Sequence, residues 1–290
     1  MTMVDQHVDQ SKFADELTAV VVEHRKPIRQ RLHEGVPVAL VFVGFIGLWL
    51  AMSYAILPER QRFKVPPPHR TFDVAFLDAH NRNELFEGIK NTGKVALIGF
   101  VVAVCLAFLG AVGMALARGA ERAFFPWAVI IQTVPVMATT PLFTAWFKPG
   151  VMVRVIVTVL VSFFPILTSF LFGLKSADRG LHDLMTLHGA NWWTRLRKVQ
   201  LPAALPSIFT GLRVGAGLCV IGALVADFFF TRGDLGLGRL VFNYSNLLAY
   251  ERLFGAIILS SILGVVIYLV IGAASNRVLR SWHESAATNT

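Results

Sequence analysis

Apolar residues gather in six long blocks, at 37–57, 95–117, 123–147, 155–174, 204–230 and 253–276, and polar and charged residues fill the stretches between them. Each block approaches or exceeds the roughly 20 residues that a helix needs to cross the hydrocarbon core of a bilayer. None alternates apolar and polar positions as a barrel strand does. Backbone groups in lipid must bond within their own segment, so the blocks predict six membrane-spanning helices. Only the fifth block holds charged residues, Arg213 and Asp227; the third holds three prolines, Pro126, Pro135 and Pro141, and the fourth holds Pro165.

Composition supports this pattern. Hydrophobic residues make up 55% of the 290-residue chain and charged residues 16%, against about 25% charged in soluble domains. The formal net charge of +9 sits between the blocks. It points to lipid headgroups and membrane topology and away from nucleic acid. Six spans put both termini on one side, but Lys and Arg number 14 on the side of the termini and 11 on the other, so charge alone does not orient the chain. Cys105 and Cys219 lie inside apolar blocks, and no Cys/His cluster has metal-ligand spacing, so no metal or cofactor is expected.

Residues 1–36 lack the pattern of a cleaved signal peptide, and the first block is expected to stay as an anchor. Phe13, Leu17, Val20 and Val21 stand near helical spacing ahead of Arg25, Lys26, Arg29 and Arg31. An interfacial amphipathic helix and a solvated tail both fit this pattern. The segment 58–94 has prolines at 66–68 and predicts an extended connector, then a short polar helix leading into the second span. No internal repeat is visible, nor a matching pair of broken helices in two halves.

The most patterned polar stretch is 176–206, between the fourth and fifth blocks. Ser176 or Asp178 can cap a first helix, on which Leu181, Leu184 and Leu187 or His188 make one apolar stripe. Gly189 supplies the left-handed turn that ends it. Asn191 can cap a second helix through Val199, carrying Arg195, Arg197 and Lys198 near its end, and Pro202 and Pro206 are expected to stop it and begin the next span.

Here the chain resembles a known family. The permease subunits of ATP-binding-cassette importers carry a cytoplasmic loop reading Glu-Ala-Ala, three residues, Gly, nine residues, Ile-x-Leu-Pro. In this chain Asp183, Leu184 and Met185 stand at the first element, Gly189 at the glycine, and Val199, Gln200, Leu201 and Pro202 at the end. The spacing matches; the first element departs, with Asp for Glu and Leu-Met for Ala-Ala. Further matching fragments are Gln132–Pro135, Pro141–Phe147, Phe163–Ile166, Leu201–Pro206, Gly211–Arg213 and Gly236–Gly238. Together they cover about residues 84–275 and are most similar to the nitrate, sulfonate and taurine, and pyrimidine or riboflavin-precursor, branch.

The resemblance implies an all-α polytopic protein of the bacterial inner membrane with six transmembrane helices and both termini cytoplasmic. It implies a cytoplasmic tail at 1–36, a first span at 37–57, an external connector at 58–83, a five-helix core at 84–276 with a coupling loop at 176–203, and a cytoplasmic tail at 277–290. Asp183, Leu184, Leu187, Gly189, Ala190, Leu201 and Pro202 would dock on a separate ATPase subunit. The other implied partners are a second permease copy or a paralogue, most simply as a homodimer, an external solute-binding protein, and lipid. The chain itself would not be an enzyme, and its solute would be a small organic or anionic compound.

Gly88 to Lys94 matches most of a phosphate loop, but Val95 stands where Ser or Thr would bind magnesium, and a span follows. Gly236 and Gly238 lack the third glycine of a dinucleotide fingerprint and predict a turn re-entering the membrane interface. Ionisable residues in a span are costly unless they face protein or water, so Arg213 and Asp227 are candidates for the translocation path, Asp227 near its outer end. Gln132, Pro135, Thr139 and Pro141 make the third span the most polar and the most bent, and it too is a candidate path element. Trp192 and Trp193 are expected to anchor at headgroups. An ion-coupled secondary transporter is the alternative class, and it would need ionisable groups near mid-membrane.

Overall fold

The structure is a computed structural model that describes residues 28–148, 150–229 and 233–287. Phe13, Leu17, Val20, Val21, Arg25 and Lys26, on which the amphipathic N-terminal pattern rests, lie outside the described residues. The chain divides into two compact units, Met1–Pro58 and Glu59–Thr290. The first contains α1 (Ile28–Ala51), prolonged by one wide turn over Met52–Ile56. This helix begins upstream of the apolar block and carries Pro37 inside it.

In the second unit, the connector expected to be extended is instead a string of short turns: a 3-10 turn at Glu59–Lys64, α2 (Pro68–Phe72) and a wide turn at Asp73–Leu77. Pro67 is extended, whereas Pro68 fits the first helical position, where no backbone N–H is needed. The expected polar helix and second span are one 38-residue helix, α3 (Ala79–Leu116). Asp78 caps it by accepting the Asn81 N–H at 3.0 Å. That bond holds the Asp78 carboxyl below its ordinary pKa.

The third apolar block is crossed in two pieces, α4 (Arg118–Thr133) and α5 (Val136–Trp146), where one bent helix was expected. Pro135 has no N–H to continue a helix, and its ring disfavours helical geometry at the residue before it. Val134 and Pro135 are accordingly extended. The two pieces are 16 and 11 residues long, about 24 Å and about 17 Å at about 1.5 Å per residue.

Then follow α6 (Val151–Lys175), α7 (Arg179–Leu187), α8 (Trp192–Arg195), α9 (Leu201–Phe229), α10 (Leu237–Asn246) and α11 (Tyr250–Ala287). Pro202 and Pro206 do not separate the loop's second helix from the fifth span. The helix passes through a wide turn at Leu196–Gln200 directly into α9. Such a turn absorbs the hydrogen bond that Pro202 cannot make. Five segments are each long and apolar enough to cross a membrane, namely Ala39–Ile56, α3, α6, Trp192–Phe229 and Tyr250–Val278, and the α4–α5 pair covers the remaining block. No strand occurs among the described residues.

The core of the second unit is a tight sandwich of α3, α6 and α9. Ala103, Ala107 and Ala111 of α3, spaced one turn apart, present a small face to Ile166, Leu167, Phe170 and Leu171 of α6. Glycines do the same for α9. A Cβ on Gly211 would come within 2.6 Å of Ser169, on Gly215 within 2.3 Å of Ile166, and on Gly222 within 2.9 Å of the Thr158 backbone. Lipid supplies no hydrophobic drive between helices, so this close backbone approach is what holds them.

Candidate functional site

The polar loop between α6 and α9 is built as its capping residues dictate. Asp178 accepts the Gly180 N–H at 2.6 Å to start α7, and Gly189 adopts φ +60° to end it. The Gly189 and Ala190 amides close the turn on the Thr186 and Met185 carbonyls. Asn191 caps α8 by accepting the Thr194 N–H at 2.9 Å, and the Arg195 guanidinium donates to the Ala190 carbonyl. The α7 stripe faces away from the chain: Leu181 and Leu184 are roughly half exposed and Leu187 is 85% exposed. Asp183 is exposed beside it, Ala190 is half-buried, and Leu201 and Pro202 lie half-buried where the loop enters α9. Leu196 and Val199 plug the base of the loop into the core, and Trp192 packs on the same cluster while Trp193 is exposed. The loop is therefore a capped elbow, anchored at its base, with an unpaired apolar face.

A second constellation lies at the opposite ends of α6 and α9. Arg154, in the first turn of α6, is 2% exposed, and Asp227, near the end of α9, is 1% exposed. The Arg154 Nη1 donates to Asp227 Oδ1 at 3.1 Å and to the Asp234 carbonyl at 3.3 Å. The Thr92 hydroxyl of α3 donates to Asp227 Oδ2 at 2.5 Å and accepts the Leu237 N–H, the first of α10, at 2.8 Å. Asn91 of α3 donates to the Leu235 carbonyl. Gly236 and Gly238 are what allow this fit: a Cβ on Gly236 would stand 2.0 Å from the Asp227 carboxylate, and one on Gly238 would stand 2.1 Å from the Leu224 carbonyl. The pair of glycines thus opens a short helix, α10, seated on a buried carboxylate. Gly88 likewise serves packing, since a Cβ there would meet Leu240 at 2.8 Å and Leu237 at 3.1 Å. Beside this knot the Tyr244 hydroxyl donates to Glu84 at 2.7 Å, and burial together with that carboxylate raises the phenol's pKa.

The sequence singled out Asp227 but not its partner. Arg154 falls one residue outside the apolar block that begins at 155, whereas α6 starts at Val151 and takes it in. The available signal was the acid itself, because a charge in a span calls for a partner at the same depth.

Arg213 of α9 donates to the Gly272 carbonyl at 3.1 Å and to Asn276 Oδ1 at 3.0 Å, tying α9 to α11. Gln132 and Pro135 are exposed around the break between α4 and α5. Thr139 turns its hydroxyl back onto the Val136 carbonyl at 2.7 Å, and Pro141 lies within α5. An open apolar groove of about 680 Å³ runs between α9, α10 and α11. The hydroxyls of Ser260 and Ser261 on its wall are spent on carbonyls of their own helix.

Fold and elbow together define a polytopic helical membrane protein of permease type, its packed α6–α9 hairpin ending in a polar loop held outside the core. The chain belongs to the family described as binding-protein-dependent transport system inner membrane component, whose model matches residues 103–280. It is an inner-membrane permease of the ATP-binding-cassette importers. It is 34% identical over 168 residues to the riboflavin transport system permease protein RibX of Chloroflexus aurantiacus, which takes in 58% of this chain and 62% of that one. It is 29% identical over 261 residues to the formylaminopyrimidine transport permease protein ThiX of Halalkalibacterium halodurans, covering 88% of this chain and 99% of that one. Among solved structures, the inward-facing MetNI methionine ABC transporter matches 68% of this chain and 93% of its own at a TM-score of 0.51 and 18% identity, a likeness of fold.

Proposed function

We propose that the chain forms the translocation path of an importer for a small organic or anionic solute and couples it to ATP hydrolysis by a separate ATPase subunit. The compounds named for its relatives include riboflavin, formylaminopyrimidine, aliphatic sulfonates and nitrate, and a sulfonate- or nitrate-like or a pyrimidine- or riboflavin-precursor-like solute suits this chain. The observation that carries the reading is the apolar stripe of Leu181, Leu184 and Leu187 on a capped elbow. A stripe of this kind on a solvated loop is a surface for a partner. The ATPase grips Asp183, Leu184, Leu187, Gly189 and Ala190, with Leu201 and Pro202 passing the motion into α9. The elbow and both termini then lie in the cytoplasm. A second copy of the chain completes the path, and an external binding protein delivers the solute. Gln132, Pro135, Thr139 and Pro141, at the break in the third crossing, together with Arg213 and Asp227, are the residues proposed for the path and its gating. Closure of the ATPases moves the elbows as rigid bodies and rocks the spans between inward-open and outward-open states.

An ion-coupled transporter would need an accessible protonatable group in the membrane. Asp227 is the buried acid among the described residues, and it is held by Arg154. Replacing Gly189 by Val tests the reading. The site is at φ +60°, and a Cβ there meets no atom within 4 Å, so the change acts on the turn and on whatever docks there. The expected result is normal membrane insertion with loss of ATPase co-purification and of solute-stimulated ATP hydrolysis. Wild-type stimulation in Gly189→Val would sink the proposal.

A further inference from the structure

The elbow and the Arg154–Asp227 pair sit at opposite ends of the same two helices. From Arg154, α6 runs about 32 Å to Lys175 at about 1.5 Å per residue and passes into the elbow through Ser176–Asp178. After the elbow, α9 runs back from Leu201 to Asp227, about 39 Å by the same measure. Along the way the two helices touch through Gly173, Gly211, Gly215 and Gly222. They form one closely packed hairpin, closed at one end by the elbow and at the other by a buried ion pair.

That ion pair also holds something outside the hairpin. Arg154 reaches the Asp234 carbonyl and lies 3.7 Å from the Asp234 carboxylate, which is itself largely exposed. Thr92 and Asn91 hold Leu237 and Leu235. Residues 233–236 and α10 are thereby bolted to α3, α6 and α9 by polar bonds, although the local apolar packing of Leu237 and Leu240 would already bury α10. A purely packing role does not call for a buried guanidinium, because an apolar pair of similar volume serves stability equally well.

We infer that Arg154 and Asp227, linked through Thr92, are positioning residues that lock the 233–236 loop and α10 to the hairpin, so that a partner seated on that loop drives the elbow at the other end. This rests on the importer reading, in which the loop faces the solute-binding protein. A soft joint here would let the loop move while the elbow stays still.

The test uses the assembled transporter, permease with ATPase subunits, in lipid vesicles, with the solute-loaded binding protein added. The readout is the ratio of stimulated to unstimulated ATP hydrolysis. Thr92→Val removes the bridging hydroxyl while keeping its shape and leaves no lone buried charge. Its ratio is expected to fall at least fivefold, with Thr92→Ser keeping the wild-type ratio. The apolar double variant R154M/D227L is expected to assemble and melt like wild type and also to lose the ratio. A wild-type ratio in Thr92→Val, or in R154M/D227L, would overturn the inference and leave the pair a matter of stability; should the double variant not assemble, Thr92→Val decides alone. If the unaltered transporter shows no stimulation at all, the importer reading itself fails and takes this inference with it.

Discussion

Burying a guanidinium and a carboxylate among membrane helices costs free energy that only their mutual contact offsets. Arg154 and Asp227 meet this condition with a 3.1 Å contact, a second acceptor in the Asp234 carbonyl and a third partner in Thr92. Removing one member strands the other. Asp227→Ala is expected to destabilise the permease by about 3–5 kcal/mol, and R154M/D227L by under about 1 kcal/mol. Thermal unfolding of the purified protein in detergent checks this, and equal losses in the single and double variants would contradict it. Asp227 was legible in the sequence as a charge in an apolar run. Arg154 was not, because a window that counts apolar residues starts a span after the last charge, while a real helix starts where its backbone bonds do. Asp178, Gly189 and Asn191 were legible because each cap or turn is set by a side chain and its own neighbours.

At the scale of elements, the α6–α9 contact decides whether the hairpin is rigid, and it depends on missing side chains. A Cβ on Gly215 would stand 2.3 Å from Ile166 Cγ1 and 2.5 Å from its Cδ1, in a cluster where Ile166 is fully buried. Overpacking of this kind costs about 1–3 kcal/mol. Gly215→Val is expected to lose that much stability, and adding Ile166→Ala is expected to restore part of it. Coupling between adjacent residues appears as non-additivity in a double-mutant cycle, so strictly additive losses measured by thermal melts would refute the contact. The sequence showed these glycines only as part of an apolar run. Two of its errors at this scale concern proline. Pro135 breaks a span expected to be continuous, whereas Pro202 and Pro206 fail to break one expected to be interrupted. Proline forbids one hydrogen bond, which a helix can meet either by ending or by widening by one turn. The α6 partner holds α9 at Ala204 and Ser207 through Gly173, and no such grip is present at Val134 and Pro135, which are exposed.

For the whole molecule, sidedness has a single physical handle. Basic residues do not orient the spans, since 14 and 11 on the two sides give the positive-inside rule little to act on. What the importer reading requires is that the elbow be cytoplasmic. Leu187, at 85% exposure, is the most open large hydrophobic side chain among the described residues, so a cysteine there is within reach of a reagent. The native thiols are Cys105, exposed, and Cys219, buried between α9 and its neighbours, and both can be replaced by Ala without adding volume. In that background Leu187→Cys is expected to react with a membrane-impermeant maleimide in inside-out vesicles and not in intact cells. Adding the ATPase subunit is expected to slow the reaction at least tenfold, because the stripe of Leu181, Leu184 and the residue at 187 would be covered. Labelling from intact cells would put the elbow outside and remove the motor from the mechanism. Labelling from the inside with no protection would keep the topology but require the ATPase to grip another part of the loop.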